Sequence, residues 1–320
     1  MMNPKARLLT TLQFIEPDYP PHFEQIFDLS YEAFGEAQPT DKQITEAAGA
    51  EKDRLINRSA EFFARIIDEF EWSAVVLWSP AWGEDLYRAI PIVKRLVGDR
   101  ALVGGFVWGS THAIDVVKDY VEHSVDLYEH PEKLHEQARQ MRDGALQHIR
   151  RLLEAGSTII DVASDYAFNA GPFLPPVKFA EFVTPYLAPI IAAIREGGAV
   201  AVLHSDGNLL PILDQLIAVR PHVLQSIDPM AGMDIAHVKK LTYGKLALMG
   251  NVQCSYVQTG PPEKIIESAR YCLKHGSPGG GYIYSCSNTI FEGVPLENYR
   301  LMLKVWKEQK WTGVRSRKPE

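Results

Sequence analysis

Short apolar runs alternate with amphipathic stretches along most of the chain. Most of the runs are rich in β-branched or aromatic residues, and several are apolar on both faces, which is typical of parallel strands covered by helices. A weak first candidate, Pro21–Phe27, precedes the others. The remaining predicted strands are Ser73–Trp78, Ala101–Gly109, Ser157–Ser164, Ala199–Ser205, His222–Asp228, Lys245–Asn251 and Gly281–Ser287.

The stretches between these runs carry the periodicity of helices. Asp41–Phe70 predicts a long helical region with a break near Gly49, and His130–Gly156 and Pro262–Gly276 predict two more helices that open on proline and end on glycine. Eight strand–helix repeats in about 300 residues predict a single (β/α)8 TIM barrel with N-terminal helical additions, with residues 1–320 as one domain. A doubly wound open sheet is the alternative, but its usual glycine-rich phosphate loop is missing after the first strand, so no nucleotide cofactor is expected.

Composition and charge narrow the function classes. The 320 residues are 46% hydrophobic and 23% charged, which is typical of a soluble globular protein with a large core. The net charge of −7 argues against a generic nucleic-acid surface. The absence of an apolar run of about 20 residues and of a signal-peptide pattern predicts a cytoplasmic protein with no membrane partner. Three scattered cysteines, Cys254, Cys272 and Cys286, are too few for a disulfide framework.

Polar side chains follow several predicted strands, where a (β/α)8 barrel places its active site. The weak first strand would add His22 and Glu24, and Trp78, Trp82, Phe106 and Trp108 would supply aromatic walls. Apolar walls with a few polar groups are typical of a ligand pocket, and His, Asp and Cys can all ligate zinc. The polar residues at the later strand ends are Asp165, His204, Asp206, Asp228, Asn251, Cys254, Cys286 and Asn288.

Each of these residues also has a purely structural interpretation. His204 could be a hydrogen-bonded packing histidine, and Asp206 could be the N-cap of the helix that follows it. Cys286 could fill a small buried gap. Cys272 lies within a predicted helix and is expected in the core, away from the barrel mouth. For Asp165 the site interpretation is favoured, because a buried carboxylate needs partners.

Four segments in the same order resemble the uroporphyrinogen decarboxylase (URO-D) superfamily, and most closely its corrinoid-linked methyltransferase-like branch. The resemblance extends from about Glu16 to Lys307 and implies a single-domain (β/α)8 barrel. The segments are SDYAFNAGPFLPPVKFAEFVTPYLAPII, HSDGNLLPILDQLI, DPMAGMDIAHVKKLTYGKLALMGNV and GSPGGGYIYSCSNTIFEGVPLENY.

The two branches of the superfamily differ in what they imply for this chain. The decarboxylases carry an arginine-rich segment after the first strand that holds the carboxylates of the substrate, whereas PHFEQIFDLSYEAFGEAQP has no arginine here. The methyltransferases move a methyl group between a cobalt corrinoid on a separate protein and a small thiol or methylated compound. Their zinc motif, His-x-Cys with a later Cys, implies His204 and Cys286 as ligands, with Asp206 in place of the middle cysteine.

The resemblance therefore implies a methyltransferase with His204, Asp206 and Asp165 as catalytic residues. Zinc would be held by His204, Asp206 and Cys286, or His204 and Asp206 would act without metal. A decarboxylase acting on a small acid and a non-catalytic small-molecule-binding barrel are the alternatives. The expected partners are a small-molecule substrate and a corrinoid protein, with a homodimer as an option. Expected substrate-binding residues are Tyr166, Asn169, Trp108, Asp228, Asn251 and Asn288.

Overall fold

Parallel strands form one curled sheet in the centre of the molecule. The computed structural model describes residues 2–78 and 83–312, so the predicted wall residue Trp82 lies outside the described residues. Seven strands pair in the order β1-β2-β3-β6-β7-β8-β9, and β4 and β5 form a separate antiparallel hairpin. The strands are β1 (Ala74–Leu77), β2 (Leu102–Trp108), β3 (Ile159–Ala163), β4 (Ala167–Phe168), β5 (Gly171–Pro172), β6 (Val200–Ser205), β7 (Val223–Ser226), β8 (Ala247–Val252) and β9 (Tyr282–Cys286).

Helices follow most strands, and the predicted helical regions are confirmed. The long N-terminal region is broken just before Gly49, as predicted, and Thr40 and Gln43 form a capping box at the start of its first half. The helices are α1 (Pro4–Thr11), α2 (Ser30–Phe34), α3 (Asp41–Glu46), α4 (Gly49–Phe70), α5 (Glu84–Val97), α6 (Tyr120–Glu129), α7 (Pro131–Glu154), α8 (Pro176–Phe182), α9 (Thr184–Glu196), α10 (Leu213–Ala218), α11 (Ile235–Thr242), α12 (Cys254–Thr259), α13 (Pro262–Gly276) and α14 (Leu296–Thr312).

The predicted first strand, Pro21–Phe27, forms two isolated bridges and no regular strand. Tyr284 N donates to Pro21 O at 2.9 Å, and Ser73 N donates to His22 O at 2.8 Å, so this segment lies between β9 and the start of β1. The sheet of the described residues has seven strands, and the prediction of eight is not confirmed. The local reason is that Pro21 has no N–H to donate, while the Glu24 carboxylate takes the N–H of Cys286. The α/β architecture with a TIM-like parallel sheet is confirmed.

Buried polar contacts fasten this segment to the C-terminal helix. The imidazole of His22 lies 2.8 Å from Tyr284 O through Nδ1 and 3.0 Å from the Tyr299 hydroxyl through Nε2. Trp72 Nε1 donates to the same hydroxyl at 3.1 Å. Burial lowers the pKa of His22 to about 4, so this histidine is neutral and belongs to the core.

The remaining helices bury their apolar faces on the sheet. Cys272 lies within α13 with 1% of its surface exposed, as predicted for a core residue. Among the described residues, no single helix has the length and apolar character of a membrane span. One bent pair, α8 with α9, meets that test by length and composition only. The α9 residues Tyr186, Leu187, Ile190, Ile191 and Ile194 are buried.

Candidate metal and substrate site

Three side chains converge where β3 and β6 end side by side. The register pairs Ala163 with His204, so Asp165 and Asp206 follow neighbouring strands at the same edge of the sheet. One ligand atom from each of Asp165, His204 and Asp206 lies within 4.8 Å of the others. Asp206 N also donates to Asp165 Oδ1 at 3.0 Å. The chain ends of β3 and β6 therefore bring two carboxylates and an imidazole to one point.

A glycine directly after Asp206 makes this turn feasible. Gly207 has a φ of +86°, and a Cβ at this position would lie 2.2 Å from the carbonyl oxygen of Ala167. Any side chain here would force the β4 segment away, because 2.2 Å is far inside van der Waals contact. The Asp-Gly sequence thus lets the chain turn tightly against β4 while it presents the Asp206 carboxylate.

The imidazole of His204 is oriented from both sides. Its Nδ1 contacts the amide oxygen of Gln225, and its Nε2 lies 3.6 Å from Asp165 Oδ1. A hydrogen on Nδ1 would donate to that oxygen, and this would leave Nε2 as the atom that faces the carboxylates. Burial lowers the pKa of His204, but the negative charges of Asp206, Asp161 and Asp165 outweigh it, so the pKa is raised overall.

The carboxylate of Asp206 is held by two donors from other strands. Ser226 Oγ donates to Oδ1 at 2.6 Å, and Asn288 Nδ2 donates to Oδ2 at 2.5 Å. The first N–H of the helical turn after it, Leu210–Ile212, is taken by another residue, since Leu210 N donates to Asn208 Oδ1 at 3.2 Å. The interpretation of Asp206 as a helix N-cap is therefore wrong, because its oxygens are bonded across the sheet.

Asp161 is a buried carboxylate near His204, and the sequence analysis did not identify it. It is 1% exposed, and Gln25 Nε2 donates to its Oδ2 at 3.1 Å. Burial raises the pKa of Asp161 to about 6, although the charge of His204 and the Gln25 hydrogen bond both lower it. The available signal was an acid in the middle of the apolar run STIIDVAS, since a charged residue inside a buried strand needs a reason.

Cys286 does not join His204 and Asp206, which corrects the predicted ligand set. Among the described residues, the group close enough to share an ion contains Asp165 as its third member. Cys286 N donates to Glu24 at 3.0 Å, and the Cys286 thiol interacts with the neighbouring thiol of Cys254. This interaction lowers the pKa of Cys254, and together with burial it raises that of Cys286. The side chain of Cys286 is thus engaged with Cys254, away from the imidazole.

The family model described as uroporphyrinogen decarboxylase (URO-D) matches residues 79–309, which is more than half of the chain. The chain belongs to the uroporphyrinogen decarboxylase family. Its curated relatives include the uroporphyrinogen decarboxylase of Anaeromyxobacter dehalogenans (strain 2CP-C), 24% identical over 216 residues, and that of Aliarcobacter butzleri (strain RM4018), 24% identical over 221 residues. The matches cover 66% and 67% of this chain, and 60% and 61% of the relatives. The chain therefore spans about 60% of the length of the curated relatives it matches.

Solved structures extend the likeness of this URO-D family member to methyltransferases. A methyltransferase from Methanosarcina mazei superimposes with a TM-score of 0.74 at 18% identity, covering 96% of this chain and 99% of that one. The homocysteine methyltransferase MmuM from Escherichia coli, in its apo form, gives a TM-score of 0.52 at 15% identity, with 95% and 100% covered. At these identities the likeness shows a shared fold.

Some predicted substrate-binding residues of this URO-D family member lie beside the carboxylate of Asp206. Asp228 and Asn288 line the same cavity of about 330 Å³, and Asp228 Oδ1 also accepts from Met230 N at 2.9 Å. Trp108, a further predicted substrate-binding residue, does not line this cavity; it ends β2 with 42% of its surface exposed and its ring stacked on Phe106 at 4.9 Å. The cavity is lined by Asp206, Asp228, Met230, Cys254, Ser255, Gln258, Ser287, Asn288 and Phe291.

The other predicted substrate-binding residues are placed differently. The hydroxyl of Tyr166 is buried against Thr111 at 2.7 Å, and burial raises its pKa to about 12. The amide of Asn251 donates to backbone carbonyls and lines a separate cavity of about 270 Å³. Asn169 is exposed between β4 and β5. The structure brings none of these three into the cavity beside Asp206.

Proposed function

We propose that this protein is a methyltransferase whose divalent metal, zinc foremost, is held by Asp165, His204 and Asp206. The observation that carries the proposal is the convergence of one ligand atom from each within 4.8 Å at neighbouring strand ends. Such convergence at the carboxyl edge of a parallel barrel sheet is typical of an active site. The methyltransferases with the same fold support the reaction class.

The donor set fits a divalent metal. One imidazole nitrogen and two carboxylate oxygens are accepted ligands of zinc, and they also suit manganese or iron. Neighbouring groups hold all three ligands: Gln225 contacts His204, Ser226 and Asn288 donate to Asp206, and Asp206 N donates to Asp165. Hydrogen-bond partners of this kind fix the orientation of ligands and are typical of metal sites. A metal bound here would supply Lewis-acid activation of a substrate heteroatom.

The residues around the ligands have roles of their own in this proposal. Because the neighbouring carboxylates raise the pKa of His204, protons compete with a metal for this imidazole, and metal affinity should therefore fall with decreasing pH. The cavity of about 330 Å³ beside Asp206 suits a small substrate. Phe291 and Met230 offer it apolar contacts, and Asp228 and Asn288 offer it hydrogen bonds.

The methyl carrier follows from the resemblance to the corrinoid-linked branch. We take it to be a cobalt corrinoid on a separate protein, with a small thiol or an O- or N-methyl compound as the other substrate. The middle ligand position holds Asp206 where that branch has a cysteine. An oxygen in place of a thiolate makes the metal less electron-rich, which favours activation of an oxygen or nitrogen substrate over a thiol.

The test combines metal content with methyl transfer. Elemental analysis after zinc loading and dialysis should give about one zinc per wild-type chain, and much less for His204→Ala. His237→Ala is the matched control, because His237 is exposed on α11. Zinc-loaded wild type should demethylate methylcobalamin in the presence of a candidate acceptor, followed by the change in its visible absorbance. Zinc content and demethylation that are the same in His204→Ala and wild type would refute the proposal.

A decarboxylase is the second candidate, and the names of the curated relatives favour it. The buried pair of Asp161 and His204 could deliver the proton such a reaction needs. The absence of arginine from residues 21–39 counts against a substrate with many carboxylates. Incubation with uroporphyrinogen should therefore release no carbon dioxide. Metal-independent release that Asp165→Asn abolishes would favour the decarboxylase instead.

A further inference from the structure

Two cysteines that the proposed metal site does not use lie beside each other on adjacent elements. In the β8–β9 ladder Val252 pairs with Cys286, and Cys254 follows Val252 by two residues. Neighbouring strands are about 4.8 Å apart, so Cys254 begins α12 close to the end of β9 at Cys286. The two thiols interact, since Cys286 is the main cause that lowers the pKa of Cys254, and the Cys254 thiol also donates to Thr289 O at 3.8 Å. The thiol of the third cysteine, Cys272, donates to Asn251 Oδ1 at 3.2 Å.

The two thiols differ in their access to solvent. Cys286 is fully buried, whereas Cys254 is partly exposed and lines the cavity beside Asp206. A small oxidant that enters this cavity therefore meets the Cys254 sulfur first. An accessible sulfur with a buried thiol directly behind it is the arrangement that converts a first oxidation into a disulfide before further oxidation occurs.

The backbone next to both cysteines supports the Asp206 carboxylate. Cys254 N donates to Ser287 Oγ at 3.1 Å, and Ser287 O lies 2.6 Å from the Ser226 hydroxyl oxygen. That hydroxyl also lies 2.6 Å from Asp206 Oδ1, and Asn288 donates to Oδ2. A covalent bond between Cys254 and Cys286 would therefore act on residues 287 and 288, which hold Asp206 in place.

We propose that Cys254 and Cys286 form a peroxide-sensitive dithiol that closes reversibly to a disulfide and alters the support of Asp206. The Cys254 thiolate attacks the distal oxygen of hydrogen peroxide, and the O–O bond breaks to give a sulfenic acid and water. The Cys286 sulfur then attacks the sulfenic sulfur and releases a second water. Two electrons pass from the two thiols to the peroxide, and a thiol reductant reverses the change.

The first experiment maps the oxidation chemically. Metal-free protein is treated with one equivalent of hydrogen peroxide, and the intact mass, free thiols and digested peptides are measured. Wild type and the control Cys272→Ser should lose about 2 Da and two thiols, with residues 254 and 286 in one linked peptide, and dithiothreitol should restore both. Cys254→Ser should lose neither mass nor thiols. Cys286→Ser should gain about 16 Da as a sulfenic acid that dimedone captures.

Each other outcome refutes the dithiol. Oxidation of wild type straight to products about 32 or 48 Da heavier, without a loss of about 2 Da, would show that Cys286 does not resolve the sulfenic acid. A linked peptide that contains Cys272 would show that the pairing is wrong. An unmodified wild type, with all three thiols free at a peroxide dose that oxidises free cysteine, would also refute it.

The effect of the disulfide on Asp206 rests on the proposed metal site and is measured in a separate experiment. Manganese(II) is the probe, because it prefers oxygen and nitrogen ligands and binds thiols weakly. Oxidised wild type should bind it about tenfold more weakly than reduced wild type, whereas oxidant-treated and untreated Cys254→Ser should not differ. Equal affinities of the two wild-type forms would refute the coupling to Asp206. Manganese binding by neither form would count against the proposed metal site, while the peptide map alone decides the disulfide.

Discussion

Asn288→Ala tests whether the hydrogen bonds to Asp206 prepare it as a ligand. The substitution removes the amide that donates to Asp206 Oδ2 at 2.5 Å and leaves Ser226 on Oδ1. A hydrogen bond to a charged group contributes about 1.5–3 kcal/mol. Because the Ser226 donor remains, we take the lower part of this range, about 1.5–2 kcal/mol. Since about 1.4 kcal/mol corresponds to tenfold in affinity, we expect zinc affinity to fall about 10- to 30-fold.

The assay is a competition titration of zinc against a chromophoric chelator, with urea unfolding of the metal-free protein alongside. Asn298→Ala is the matched control, because it removes a similar amide bond, to Val257 O at 3.0 Å, from a residue of α14. Both variants should lose about 1 kcal/mol or less of unfolding free energy, since both side chains are partly exposed. Only Asn288→Ala should lose zinc affinity. Equal zinc affinity in Asn288→Ala and wild type would refute the role assigned to this amide.

Three further substitutions test the buried Asp161 beside the site and two contacts of the core. Wild type should lose stability as pH rises from 3.8 to about 6, because in that window the native state keeps a proton on Asp161 that the unfolded chain releases. Asp161→Asn should remove this loss, as measured by urea unfolding across the window. A pH profile that is the same in the variant and in wild type would contradict the raised pKa of Asp161. Tyr299→Phe leaves buried Trp72 Nε1 without its acceptor and should cost about 1–3 kcal/mol in urea unfolding, so a change below about 0.5 kcal/mol would contradict the contact. Cys272→Ala should lower the unfolding free energy by about 1 kcal/mol and leave zinc content at the wild-type value, and loss of zinc without unfolding would show that α13 reaches the site.

Much of the sheet was predictable because its strands are continuous apolar runs between helices. The strands that end at Leu77, Ala163 and Ser205 could be predicted from local sequence alone, since each is a continuous apolar run of the kind that is buried on both faces of a sheet. The prediction of a strand at Pro21–Phe27 was wrong, although apolar residues of this segment are buried in the core. Its backbone, however, forms only two isolated bridges, at His22 next to Pro21 and at Phe27, and the Glu24 carboxylate accepts from Cys286 N in place of a ladder carbonyl.

The site was predictable to the level of strand ends and no further. The rule that barrel sites lie at carboxyl ends selected Asp165, His204 and Asp206 together. Which side chain completes a ligand set depends on rotamers and cross-strand partners. The free thiol of Cys286 interacts with the thiol of Cys254 and does not join the other ligands. Asp161 was missed because its partner Gln25 is 136 positions away in the sequence and meets it only in the folded protein.

X-ray absorption spectroscopy of the zinc-loaded protein identifies the atoms that bind the metal, because sulfur and the lighter donors differ in scattering and distance. We expect a first shell of nitrogen and oxygen only, at about 2.0–2.2 Å, from His204, Asp165 and Asp206. That shell should lose one light scatterer, or the zinc itself, in Asp165→Asn, and it should be unchanged in Cys286→Ser. A sulfur scatterer at about 2.3 Å that disappears in Cys286→Ser would contradict the account and restore the cysteine to the site.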